Sequence, residues 1–195
     1  PEERAPQPAG FTRNPALDRT VAARIAEGNA DAALALLANT RGLSAAYGAQ
    51  LKAEAAQALF RQGRDEAALR LAMEAARLAP GNALAAYQTG LAAWALERWE
   101  LAYAGFERAA RAEGSPAAMR AAAAYWTARA AVRARRPAQY VPWMLQAAQE
   151  PRTFHGMVAR RTLGLPPGLV WERDVAGEAH AGALAETAGG WRALA

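Results

Sequence analysis

The chain of 195 residues carries a net charge of +5 and contains no cysteine, which excludes disulfides and cysteine-based metal sites. Its hydrophobic fraction is 53%, much of it alanine, and this composition favours helices over strands. No apolar run reaches the length of about 18 residues that indicates a membrane span. The basic charge is almost wholly arginine, with Lys52 the only lysine, and it permits an anionic partner without requiring one.

The chain starts at Pro1, without Met or an apolar signal segment, as expected of a processed or trimmed chain. Residues 1–14 are rich in proline and are predicted to form an extended leader. Asn14 is the predicted N-cap of a first helix, with Pro15 at its first position. The apolar residues of this helix recur every four positions and predict one buried face: Leu17, Val21 and Ile25.

Helix pairs separated by short turns follow along the chain. Gly, Pro and Asn mark the turns, at Gly28-Asn29, Gln62-Gly63 and Pro80-Gly81-Asn82. The later predicted helices cover residues 30–38, 44–61, 65–79, 83–96, 98–113, 116–134, about 137–149 and about 152–163. The last of these is predicted to end with Gly164 as its C′ glycine.

Two of these pairs resemble each other at an offset of 34 residues. The segment 58–60 (Ala-Leu-Phe) matches 92–94 (Ala-Ala-Trp), and Leu69 matches Tyr103. This is the period of a tetratricopeptide-like helical hairpin. The sequence therefore predicts an all-α fold in which stacked helical hairpins form a right-handed α-superhelix over residues 15–165. Residues 166–195 are predicted to be a linker and the start of a truncated helical region.

The histidine and acidic residues of the sequence match no catalytic, metal-binding or cofactor-binding motif. His155 and His180 are the only histidines and lack the spacing of a metal motif. The acidic residues checked as catalytic acids lie in no recognisable catalytic motif, and solvated or helix-dipole roles are expected for them. They are Glu97, Glu100, Glu107, Glu172, Glu178 and Glu186.

Tryptophan and arginine are the residues best suited to a ligand surface. Trp94 and Trp126 lie on apolar helix faces and are expected in the core. A basic patch is a candidate at Arg129, Arg133, Arg135, Arg136, Arg160 and Arg161. Arginine near a helix C-terminus is also an ordinary partner of the helix dipole, so a nucleic-acid partner is not expected.

The stretch from residue 125 to 164 holds a paired motif. Its first half is Tyr125-Trp126-x-Ala-Arg129-Ala, and its second half is Thr-Phe154-His155-Gly156 followed by Ala-x-x-x-Leu-Gly164. This pair resembles the end of the superhelical domain of soluble lytic transglycosylases, with His155 in place of the usual Tyr.

That resemblance implies a periplasmic enzyme that cleaves peptidoglycan with one glutamate of a Glu-Ser motif, followed by a Gly-Leu-Met-Gln motif. Neither motif occurs in the 195 residues, so no catalytic residue transfers to this chain. The resemblance thus implies a non-catalytic scaffold that positions the glycan strand or partner proteins for a lysozyme-like domain. Peptidoglycan is the implied partner, through the absent domain.

The motif residues are expected to have structural roles. The aromatic residues would lock the last hairpin against the following helix, and Gly156 would permit a close helix contact. Arg160 and Arg161 are the candidates for contact with glycan or another anion. The alternative hypothesis is a tetratricopeptide-like module for protein–protein interaction, and a nucleic-acid-binding repeat is the weaker third.

Overall fold

The computed structural model describes residues 11–168, 182, 183, 186 and 187. These residues are helical, with no strand among them. Between residues 15 and 162 lie nine α-helices, with a short 3-10 helix at Pro137–Gln139 before the eighth. They are α1 (Pro15–Ala26), α2 (Ala30–Asn39), α3 (Ala45–Arg61), α4 (Asp65–Leu78), α5 (Ala83–Ala95), α6 (Trp99–Arg111), α7 (Ala117–Arg133), α8 (Tyr140–Ala148) and α9 (Phe154–Thr162). The predicted all-α class is confirmed for this part of the chain.

Residues 1–10 of the predicted leader and most of the predicted linker lie outside the described residues. The same holds for His180, Glu172, Glu178, Trp171 and Trp191. The leader and the linker therefore stay predictions.

Side-chain caps begin several of the helices. The Asn14 side chain accepts hydrogen bonds from the backbone N–H groups of Ala16 and Leu17, as its predicted N-cap position requires. The same kind of bond to the first turn is made by Asn29, Ser44, Asn82 and Thr153. Short polar residues thus set most of the helix starts.

The turns inside the four helix pairs share one geometry. Each contains a residue in the left-handed region, at Gly28 (φ 78°), Gly63 (φ 72°), Glu97 (φ 57°) and Arg135 (φ 58°). The next residue donates its N–H to the carbonyl five positions back, as Arg98 does to Ala93 at 2.8 Å. The similarity between helix pairs that the sequence shows therefore extends to the geometry of their turns.

The helices pack as two rows. Each odd-numbered helix contacts the next odd-numbered helix, from α1 to α9. Each even-numbered helix contacts the odd-numbered helices before and after it. Within the described residues, the backbones of the even-numbered helices do not approach one another as closely, although Trp143 of α8 donates from Nε1 to the Tyr103 hydroxyl of α6 at 3.3 Å. The molecule is therefore a series of hairpins in which each one packs on its neighbour.

Alanine and glycine dominate where the helices cross, and a few large side chains fill the remaining space. The largest fully buried apolar residues are Phe106, Leu51, Leu59, Leu69 and Met144. Contrary to expectation, Trp94 and Trp126 are only half-buried, at the edge of this core. Crossing points lined by alanine leave little room for an indole, so these rings pack on one another instead, at 5.3 Å between centroids.

Candidate functional site

The two halves of the paired motif meet in space. The rings of Tyr125 on α7 and His155 on α9 lie 5.3 Å apart, centroid to centroid. Trp126 contacts Tyr125 edge-on at 5.9 Å. Residues that are 30 positions apart in sequence therefore form one aromatic cluster where α7 packs on α9.

Arg129 completes this cluster from the solvent side. Its guanidinium carbon lies 4.9 Å from the ring centroid of Trp126, 5.6 Å from that of Trp94 and 5.8 Å from that of Tyr125. A cation over aromatic faces is attracted by their negative charge density. The motif arginine therefore joins the last two repeats through three rings while its side chain stays exposed.

Phe154 does not contribute to this packing in the described residues. Its side chain is 69% exposed, and its ring contacts only the neighbouring ring of His155, at 5.2 Å. Of these two aromatic residues on α9, only His155 makes a ring contact with α7 in the described residues. The locking role predicted for the aromatic residues thus falls on Tyr125, Trp126 and His155.

Gly156 is buried, and its surroundings differ from those expected. A methyl group there would collide with the backbone carbonyl of Glu150, in the loop that joins α8 to α9. This loop folds onto α9 because the Thr153 hydroxyl donates to the Glu150 carbonyl at 2.8 Å and accepts from the Gly156 N–H at 3.1 Å. Gly156 therefore permits a close loop contact, where the sequence suggested a helix contact.

Gly164 ends α9, as predicted. Its φ is 67°, and its N–H donates to the Arg161 carbonyl at 3.1 Å. The next N–H, of Leu165, donates to the Arg160 carbonyl at 2.9 Å, which completes a Schellman motif. Glycine suits this position because it adopts the left-handed conformation without strain.

Arg160 and Arg161 have different surroundings. Arg160 donates from Nε to the Pro166 carbonyl at 2.6 Å and from Nη1 to the Ala148 carbonyl at 3.1 Å. These bonds tie the segment after α9 to the end of α8. The side chain of Arg161 is exposed and makes no hydrogen bond within the described residues. Of the two predicted anion contacts, only Arg161 has all of its side-chain donors available.

His155 has no partner for metal binding among the described residues. The described residues contain no group of three or more side chains of the types that ligate metals. Burial lowers the pKa of His155 from its ordinary value, because the charged imidazolium loses solvation. The ring is therefore neutral at pH 7 and packs as an aromatic group.

Further arginines lie on aromatic rings beyond the motif. Arg133 lies 4.5 Å from the ring centroid of Trp99, and Arg136 lies 4.9 Å from that of Tyr103. The sequence predicted Arg133 and Arg136 in a basic patch, but their contacts with aromatic rings were not predicted. The signal that could have found them is the recurrence of aromatic residues one repeat before these arginines.

The acidic residues in these repeats are engaged in ion pairs. Glu100 bonds Arg136 at 2.7 Å, and Glu107 bonds Arg111 at 3.0 Å. Such exposed pairs are weak, typically worth about 0.2–1 kcal/mol. The first pair links α6 to the turn after α7, and the second lies within α6.

The fold and the site together define an all-helical protein, in its described part, that carries an arginine-rich aromatic surface. None of the helices in the described part of the chain has the length and apolar character needed to span a membrane. No protein-family model matches the chain, and no curated protein matches it.

Proposed function

We propose that this chain is the non-catalytic helical scaffold of a periplasmic peptidoglycan lytic transglycosylase. In this role it positions the glycan strand or partner proteins for a lysozyme-like catalytic domain. The observation that carries the proposal is the contact between Tyr125 and His155, which unites the two halves of the family-like motif.

This contact supports the resemblance for a physical reason. Either half of the motif arises easily by chance in an alanine-rich helical repeat. Two halves that form one interface are constrained together, because a change in one ring alters the packing of the other. An aromatic residue at position 155 is what this interface requires, so His155 replaces the usual Tyr without loss of a ring.

We further propose that the hairpins form a tetratricopeptide-like, right-handed superhelix. The supporting observation is the different packing of the two rows, since the backbones of successive odd-numbered helices approach each other closely and those of successive even-numbered helices do not. Rows with unequal spacing bend a stack towards the closer row. The odd-numbered helices would then line a concave face, where repeat proteins hold extended ligands.

Arg161 is the proposed contact to the glycan strand or to another cell-wall anion. It is exposed, and its guanidinium is not engaged by another described residue. Arg160 is left out of this role because its donors are bound to the Pro166 and Ala148 carbonyls.

The second candidate function is a tetratricopeptide-like module for protein–protein interaction. The arginines that lie on aromatic rings favour it, because arginine and tryptophan are the residues enriched where proteins bind one another. The two functions are compatible, since a scaffold domain can bind a partner protein.

The coding sequence of the parent protein tests the proposal directly. A reading frame that contains these residues and continues into Glu-Ser and Gly-Leu-Met-Gln motifs is the expected result. A parent protein that lacks both motifs would overturn the assignment to a lytic transglycosylase and leave the interaction module.

A further inference from the structure

Two exposed arginines on α7 lie against aromatic rings and have no anionic partner in the part of the chain that the structure describes. The guanidinium carbon of Arg133 is 4.5 Å from the ring centroid of Trp99, and that of Arg129 is 4.9 Å from that of Trp126. Among the described residues, neither side chain forms an ion pair or a hydrogen bond. Arg129 and Arg133 are called the free arginine pair below.

Two arginines near this pair are neutralised, whereas Arg135 forms no ion pair among the described residues. Arg98 bonds Glu66, and Arg136 bonds Glu100, each at 2.7 Å. The uncompensated positive charge on this side of the molecule is therefore concentrated on few side chains. An anion that reaches this surface meets unpaired donors at the free arginine pair.

The aromatic rings prepare the free arginine pair for binding. A ring contact holds the face of a guanidinium in place. The N–H groups lie in the plane of the guanidinium, so those of an exposed arginine can still donate hydrogen bonds to a carboxylate. Ordering a flexible side chain opposes binding, and a side chain that is already held loses less freedom. The rings of Trp99 and Trp126 thus act as platforms that improve anion binding without touching the anion.

The spacing of the pair points to a particular ligand. Residues four apart on a helix are separated by about 6 Å along its axis. Carboxylates two residues apart on an extended peptide are separated by about 6.6 Å. We propose that the free arginine pair, Arg129 and Arg133, binds an acidic peptide segment in an extended conformation through two such carboxylates. This inference does not rest on the function proposed above.

An open groove beside Arg133 extends the site. It has a volume of about 440 Å³ and is lined by Trp99, Leu101, Ala134, Arg98, Glu100 and Arg135. A side chain that follows the second carboxylate would enter this groove and contact Trp99 and Leu101. The site thus combines two charge contacts with one partly apolar contact.

A peptide fits this surface better than a nucleic acid. A phosphate backbone needs a continuous row of uncompensated cations. Here Glu66 neutralises Arg98 and Glu100 neutralises Arg136, and Glu97 adds an exposed acidic side chain in the turn before Trp99. A ligand with two discrete carboxylates avoids these groups.

The test uses a fluorescein-labelled peptide of alternating glutamate and alanine, with the full chain as receptor and fluorescence polarisation as readout. The matched peptide has glutamine in place of glutamate. Saturable binding of the glutamate peptide alone is expected. Arg133→Gln or Arg129→Gln should weaken it about tenfold or more, the effect of losing hydrogen bonds to a charged group.

Two further variants separate the site from general charge attraction. Arg70→Gln removes the same charge from an exposed arginine on α4 and should leave binding unchanged. Trp99→Leu keeps every charge, and loss of the platform should weaken binding about two- to fivefold. Circular dichroism would verify that each variant retains its helices.

The proposal is overturned if the glutamate peptide does not bind, or if Arg70→Gln weakens binding as much as Arg133→Gln does. It is overturned as well if single-stranded DNA of equal charge displaces the peptide at lower concentration than an unlabelled glutamate peptide. That result would assign the surface to phosphate polymers.

Discussion

Gly105 of α6 lies directly against Gly90 of α5. A methyl group on Gly105 would be 2.6 Å from the backbone nitrogen of Gly90 and 2.9 Å from its Cα atom. A backbone atom cannot rotate away as a side chain can. The two glycines therefore set how closely this hairpin closes.

Gly105→Ala is expected to destabilise the protein by about 1–3 kcal/mol, the usual effect of overpacking a tight core. The measurement is the free energy of unfolding in urea. Gly81→Ala is the matched control, because nothing lies within 4 Å of a methyl group at that position. Equal stability of the Gly105→Ala and Gly81→Ala variants would disprove the close packing of α5 on α6.

Gly156→Leu is expected to lower the melting temperature, because its side chain would collide with the Glu150 carbonyl. Gly156→Ala should already have a clear effect, since the collision begins at the first carbon atom. The Thr153 hydroxyl bonds would be lost as the loop moves. Thermal unfolding followed by circular dichroism measures the change, and an unaltered melting temperature for both variants contradicts the loop contact.

His155 is expected to make stability depend on pH below its unfolded pKa of about 6.5. Burial lowers the folded-state pKa, so the unfolded chain binds the proton more readily. Stability should therefore be fully present above the unfolded pKa and fall as the pH drops towards the folded pKa.

His155→Tyr keeps an aromatic ring beside Tyr125 and removes this titration. Melting temperatures of the two proteins, measured across this range, should diverge as the pH falls, with the variant losing less stability. Parallel curves would show that the ring of His155 is as well solvated in the folded protein as in the unfolded chain.

Glu97→Gly is expected to stabilise the protein. The turn holds Glu97 at φ 57°, where a side chain is strained and glycine is not. The extra flexibility of glycine in the unfolded chain offsets part of this gain, so the net effect should be about 1 kcal/mol or less. Glu97→Ala, which removes the charge but keeps Cβ, should bring no gain in urea unfolding. A gain of equal size from Ala would assign the effect to the charge of Glu97.

Much of the fold followed from the sequence because alanine periodicity and turn residues are local signals. The predicted N-cap Asn14 and the C′ residue Gly164 are both where the structure has them. The left-handed turns at Glu97 and Arg135 were not predicted, because neither residue favours that conformation. At these two positions the packing of neighbouring hairpins imposes a positive φ, which glycine adopts without strain at the equivalent position Gly63.

The site was less predictable than the fold. The motif itself was visible, yet the ring contacts of Arg129 depend on Trp94, which belongs to the preceding repeat. The bonds of Arg160 to two backbone carbonyls likewise depend on how the segment after α9 turns back. Such contacts arise from tertiary packing and carry no local sequence signal.

Co-sedimentation of the chain with purified peptidoglycan sacculi at moderate salt tests the proposed scaffold function most directly. Saturable binding that weakens in the Arg161→Ala variant is the predicted result. Arg70 is also exposed but lies on α4, so the Arg70→Ala variant is the control and should bind normally. No binding, or equal weakening in both variants, would contradict a glycan-positioning role for this domain.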